Sequence, residues 1–146
     1  MNNTTSTMAL LLFAISFTFI SCQSLQSKVQ KDTNKKLEEI WIKAMDFETV
    51  TCISILCDKF EDEAFGQYQS ITDTIVINEL IDILSNMHQI EPINFDIDTR
   101  ARIKLISKND TNTICIGSLI LDYNLKFYDT PKSLIDFIEK YVDIEE

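Results

Sequence analysis

Between Asn94 and Leu105 the chain alternates in character at every step but one. Phe95, Ile97, Ala101, Ile103 and Leu105 fall in one phase; Asn94, Asp96, Asp98, Arg100, Arg102 and Lys104 fall in the other. Successive side chains of a strand point to opposite faces, so a period of two predicts a β-strand with one apolar and one charged face. Such a strand is stable only in a sheet whose apolar face is covered, and antiparallel sheets commonly leave the other face wet. This stretch therefore constrains the whole chain to a sheet with one packed side.

The remaining elements are read against that sheet. Leu37, Ile40, Trp41 and Ala44 fall at i, i+3, i+4 and i+7 and predict a short helix. Thr49 to Leu56 (TVTCISIL) is β-branched and predicts a strand, and Phe65 to Ile71 a second, more polar one. Asp73 or Thr74 caps a helix running to about Met87, with Ile77, Leu80, Ile81 and Leu84 as its apolar stripe and Asn86 as its stop. Gln89 to Pro92 is a loop. After the alternating strand, Lys108 to Asn112 turns the chain back through Thr113 to Gly117. Short strands follow at Leu119–Leu121 and Leu125–Tyr128. A final helix begins with Thr130 as cap and Pro131 at its first position, burying Leu134, Phe137, Ile138 and Tyr141. The expectation is an α+β domain over residues 37–146: a mostly antiparallel sheet of four or five strands, with two helices packed on one face.

Charge is divided unevenly along the 146 residues, whose formal net charge is -10. Residues 1–21 carry no Lys, Arg, Asp or Glu. Four lysines against Asp32 give residues 22–36 a charge of +3, which leaves -13 for residues 37–146. So acidic a head is repelled by phosphate backbones, and nucleic acid is not expected as a partner. Within the uncharged leader, Met8 to Ile20 is almost wholly apolar. As a helix it spans about 20 Å, short of the ~30 Å hydrocarbon core, so it reads as the apolar region of a signal peptide and not as a membrane span.

That stretch ends in Phe19-Ile20-Ser21-Cys22, which resembles the lipobox of bacterial lipoproteins: apolar residues, a small residue, then cysteine. The resemblance covers only the first two dozen residues. It implies residues 1–21 as signal peptide, cleavage between Ser21 and Cys22, a diacylglycerol on the Cys22 thiol and an acylated new amino terminus. Two or three acyl chains give durable anchoring where one gives only marginal binding. Residues 22–36 then read as a polar tether, whose lysines lie favourably on an anionic membrane surface.

Other constellations point to less. His88 is the only histidine, so neither a multi-histidine zinc site nor a conventional triad is available; a solvated or helix-capping role is expected. No C-x-x-C motif occurs. Cys52 and Cys115 lie in the outward phase of their strands, and a bridge forms between them if the strands are neighbours; Cys57, five residues on from Cys52, falls on the opposite face. Asp96-x-Asp98 and Glu61-Asp62-Glu63 lack the glycine-containing spacing of a calcium loop. With Gly66 and Gly117 as the only glycines, no phosphate-cradling loop can be built.

The sequence therefore leads to a membrane-anchored cell-envelope lipoprotein with a non-enzymatic binding head, partnered by an envelope protein or polysaccharide. No metal or cofactor is expected beyond the covalent lipid on Cys22. Two alternatives stand beside it: an envelope enzyme using Asp96, Asp98 or the Cys52 thiol, and a secreted soluble effector or inhibitor. The charged sheet face offers one specific surface for an anionic partner, made of Arg100, Arg102, Lys104 and Lys126 with Tyr128 as a contact platform.

Overall fold

The computed structural model describes residues 36–62, 66–91, 94 and 96–144. The leader, the lipobox cysteine Cys22 and all but Lys36 of the tether expected over residues 22–36 lie outside the described residues, as does Phe95.

The architecture is α+β. Strands β1 (Leu37–Ala44) and β2 (Gln67–Ile71) precede helix α1 (Thr74–Ser85); β3 (Ala101–Ser107), β4 (Asp110–Ile116), β5 (Ile120–Tyr123) and β6 (Lys126–Asp129) follow, and helix α2 (Lys132–Tyr141) closes the order. The six strands form one sheet in the order β2-β1-β3-β4-β5-β6, antiparallel throughout, so it is wider than the four or five strands expected.

The additional strand is β1, where a helix was expected. LEEIWIKA satisfies both periods: Leu37, Ile40, Trp41 and Ala44 suit a helix, while Ile40, Ile42 and Ala44 alternate. Pairing decides between them. Ile40 and Ile42 stand opposite Leu105 and Ile103 of β3, and Ile40 opposite Ile71 of β2, so β1 is hydrogen-bonded on both edges. In that phase Ile40, Ile42 and Ala44 are fully buried and Trp41 turns outward.

The inner face carries the core. Ala101, Ile103 and Leu105 of β3, Ile114 and Ile116 of β4 and Leu121 of β5 pack with Ile77, Leu80 and Leu84 of α1 and Leu134, Phe137 and Ile138 of α2. Those stripes follow from the 3.6-residue period of both helices. Asp73 caps α1, its side chain accepting from the Ile75 N–H at 2.8 Å. The second cap differs from expectation: Pro131 occupies the cap position of α2, and the Thr130 hydroxyl instead donates to the Gly117 carbonyl at 3.0 Å. The Tyr141 hydroxyl and Lys140 Nζ of α2 both reach Glu79 on α1, at 2.8 and 3.1 Å, joining the helices at the surface.

The alternating stretch is shorter as a strand than its pattern. Regular pairing starts at Ala101, and residues 96–99 run irregularly past Gly117. A Cβ on Gly117 would lie 2.8 Å from Ile97 and 3.0 Å from the Asp98 carbonyl, so the close approach requires glycine. Between β5 and β6, Asn124 and Leu125 both have positive φ (55° and 60°), the backbone of a two-residue hairpin turn whose twist suits antiparallel strands.

Thr49–Leu56 is not a strand. Residues 45–62 form an irregular segment across the outer face of the sheet, with a small core of their own made by Met45, Ile55 and Phe60. Ile55 is clasped through its backbone: its N–H donates to Asp98 Oδ1, and its carbonyl accepts from the Thr99 N–H, both at 2.9 Å. A β-branched run makes a strand only where a neighbouring strand offers its edge, and here the backbone partners are a side chain and a loop.

Candidate functional site

The outer face is where the charged phase of β3 was expected to lie open, and segment 45–62 partly covers it. The segment is fastened by a disulfide between Cys57 and Cys115, whose Cα atoms are 5.7 Å apart. The bridge expected between Cys52 and Cys115 is thus not formed, and Cys52 is a free, exposed thiol. Cys115 does face outward, between the buried Ile114 and Ile116. Because 49–56 is not a strand, strand phase could not identify its partner.

Beside the disulfide, three cations converge. Lys43 on β1 stands opposite Arg102 on β3, and Trp41 opposite Lys104, so adjacent strands present Trp41, Lys43, Arg102 and Lys104 as one patch. Tyr68 of β2 stands opposite Lys43 from the other side. These five residues and Glu61 line a small recess. Glu61 spans two of the cations: Oε2 lies 3.1 Å from Arg102 Nη1, and Oε1 pairs with Lys104 Nζ. Lys43, only 3% exposed, donates from Nζ to the carbonyls of Phe60 (2.8 Å) and Glu61 (3.0 Å). Its Nζ also lies 5.0 Å from the Tyr68 ring centroid, and Lys104 Nζ lies 5.9 Å from that of Trp41, within the range of cation–π attraction. Trp41 and Tyr68 remain 44% and 57% exposed.

The electrostatics follow from this arrangement. The Lys104 hydrogen bond, aided by the nearby Arg102 charge, holds the Glu61 carboxyl below the usual carboxylate range despite partial burial. Arg102 keeps one unmet donor, its buried Nε, which has no acceptor among the described residues. At the rim, Glu39 accepts from Trp41 Nε1 at 2.6 Å and from the Ser70 hydroxyl, which fixes the indole's position.

Of the residues proposed for an anionic face, only Arg102 and Lys104 belong to this patch. Arg100 lies just before β3, is buried, and spends its charge on Asp98 at 2.5 Å, with Thr51 and Met45 as further contacts. Tyr128 and Lys126 pair with Leu121 and Tyr123, which face inward, so both take the helix-side phase. Tyr128 belongs to the core, and Phe127 takes the outward position. Lys126 is exposed on the side away from the patch. The reason is a shift of phase at the hairpin, which the two positive-φ residues Asn124 and Leu125 produce. Trp41, Lys43 and Tyr68 were missed, and Glu61 was weighed only within the acidic run Glu61-Asp62-Glu63; a period-two reading of Ile40-Trp41-Ile42-Lys43-Ala44 would have put Trp41 and Lys43 on the charged face.

A second hollow, of about 340 Å³, opens on the far side of the disulfide, where Asp58, Asp96 and Asp122 face Leu56, Ile97 and Phe127. Burial pushes the Asp122 carboxyl above its ordinary range, against the opposing effect of backbone N–H bonds from Leu125 and Lys126. Of the two roles expected for His88 the structure gives the solvated one: its side chain is exposed and Nδ1 lies 3.0 Å from Asp129 Oδ2 at the surface. Asp98 is engaged by Arg100 and the Ile55 N–H, while Asp96 is exposed. No cluster of His, Cys, Asp and Glu suited to a metal ion occurs among the described residues, and none of their helices is long and apolar enough to cross a membrane. No family model matches the chain, and neither a curated protein nor a solved structure matches it.

Proposed function

We propose that the chain is a cell-envelope lipoprotein, anchored through Cys22, whose head binds an anionic envelope component at the Lys43–Arg102–Lys104 patch. The observation that carries the binding reading is the convergence of three cations between two exposed aromatic side chains on a head that is otherwise strongly acidic. The net charge of -13 opposes the approach of any polyanion, so binding in this reading rests on short-range contacts with the residues that line the recess, over distances within the ~8 Å screening length at physiological salt. The lipobox and the disulfide support an exported location, since disulfides persist in oxidising compartments. In this reading the head acts by binding, and the tether holds it at the membrane.

The test uses the full-length chain in mild non-ionic detergent against immobilised polygalacturonate, dextran sulfate and polyglutamate, with neutral dextran as control. Binding to at least one of the anionic polymers but not to dextran is expected, as is its loss in Arg102→Gln/Lys104→Gln with the melting temperature nearly unchanged. A wild-type chain that ignores every anionic polymer, or a double variant that binds as well as wild type, refutes the reading.

A second reading rests on the hollow beside the disulfide. Asp122, its carboxyl raised above the ordinary range by burial, lines the hollow together with Asp58 and Asp96, and a raised carboxyl beside a second one is the pairing that hydrolysis of a glycosidic bond uses. Hydrolysis of an envelope glycan by wild type but not by Asp122→Asn would favour this enzyme.

A further inference from the structure

We infer that Glu61 is a resident stand-in for the ligand, and that the recess recognises the carboxylate of an acidic sugar, which binds by taking Glu61's place. This rests on the binding reading above and specifies its ligand.

Three observations lead to it. The first is space. With Glu61 in position the recess has room for about one water-sized sphere, roughly 10 Å³, so nothing larger enters unless the carboxylate leaves. The Glu61 backbone stays fastened by Lys43 and the neighbouring disulfide, so it is the side chain that swings out by rotation about its own bonds, while the cations stand on paired strands and keep their places.

The second is an imperfect fit. Glu61 meets the Arg102 guanidinium at Nη1, 3.1 Å from Oε2, and Nε is left buried without an acceptor among the described residues. A guanidinium holds a carboxylate best through two parallel N–H···O bonds. A free carboxylate in Glu61's place between Arg102 and Lys104 can turn to match the two parallel N–H bonds of the guanidinium, a fit that Glu61, tied to the chain through its backbone, is not free to optimise. It can therefore compete even though the resident group has the advantage of being intramolecular. The carboxylate's two coplanar oxygens match the planar donor fork of the guanidinium, and a carboxylate is the group the recess already holds.

The third is the lining. Trp41 and Tyr68 flank the cations and are about half exposed. Aromatic faces carry partial negative charge and attract the polarised C–H groups along the flat face of a pyranose ring. A carboxylate on such a ring, as in a uronic acid, meets Arg102 and Lys104 while its ring lies against an aromatic side chain. A polymer of these sugars also gains from repeated rebinding, which offsets weak single-site affinity.

Trp41 is the only tryptophan of the chain, so its fluorescence reports on the recess directly. The full-length chain is titrated with polygalacturonate, dextran sulfate, polyglutamate and neutral dextran. Polygalacturonate is expected to change Trp41 emission in wild type, with dextran sulfate several-fold weaker at equal charge and dextran inert. Glu61→Gln, which removes the competing charge, is expected to lower the half-saturating polygalacturonate concentration about tenfold. Should that variant fold poorly, Glu61→Asp serves in its place: its shorter side chain does not reach both cations, and the same direction is expected. The carboxylate-over-sulfate order in wild type needs no variant. Wild-type binding with no gain in either Glu61 variant makes Glu61 a structural ion pair and overturns this inference while leaving anion binding intact. Preference for sulfate, or for polyglutamate, overturns the sugar-carboxylate class. Silence of wild type and variants towards every anion refutes the underlying reading as well.

Discussion

Reducing the Cys57–Cys115 bond in a chain whose other cysteines, Cys22 and Cys52, are serine isolates one covalent link and nothing else. The bond joins residues 58 apart in sequence. The loop-closure relation for a ring of that size gives about 4 kcal/mol of stabilisation at 25 °C, through the entropy it removes from the unfolded chain. For about 110 folded residues, with an unfolding entropy of about 2.1 cal/mol/K per residue, this corresponds to a fall in Tm of about 17 °C. The consequence should be local as well as global. The bridge secures segment 45–62 over the sheet, so its loss also frees Phe60 from the small outer core and Glu61 from Arg102 and Lys104. Circular dichroism melts of the oxidised and reduced forms measure the global effect, and Trp41 emission the local one. Peptide mapping without reductant identifies the bonded pair. Equal melting temperatures for the two forms refute the reasoning, and so does a mapped Cys52–Cys115 peptide in the wild-type chain.

Cys22→Ala should abolish acylation and leave an uncut precursor, read by mass spectrometry of the amino terminus from a bacterial host; normal processing would exclude the lipobox. Leu125→Gly should raise stability by about 1 kcal/mol in urea melts, because Leu125 is exposed and holds a left-handed backbone that glycine adopts without strain. Phe137→Ala, which empties a nearly fully buried site in the core, should cost about 3–5 kcal/mol by the same assay. Asp122→Asn should stabilise the fold at neutral pH. A carboxyl whose folded pKa is raised carries no penalty below its ordinary range, where both states are protonated, and an increasing one as pH rises from there through the folded value. The gain should therefore vanish in acid, and a pH-independent effect would show that charge burial is not its origin.

Local pattern alone determined much of the inner face. A cap at Asp73 or Thr74, the stripe of Ile77, Leu80 and Leu84, the inward phase of Ala101, Ile103 and Leu105, and the buried Leu134, Phe137 and Ile138 are all readable from local pattern, because each element's period states which of its sides is apolar. The outward direction of Arg102, Lys104 and Cys115 follows from the same phase. What spacing does not encode is the identity of a neighbour across the fold. LEEIWIKA fits two periods, and only the strands on either side of β1 make it extended, which brings Trp41 and Lys43 beside Arg102 and Lys104. TVTCISIL has strand chemistry but no strand edge to pair with, so it becomes a cover, and Cys57 instead of Cys52 comes within bonding distance of Cys115. Glu61 enters the cation patch only because that cover crosses the sheet. Side-chain periodicity is a property of a few consecutive residues, whereas the recess is assembled from β1, β2, β3 and a loop, whose adjacency is decided by long-range pairing and packing.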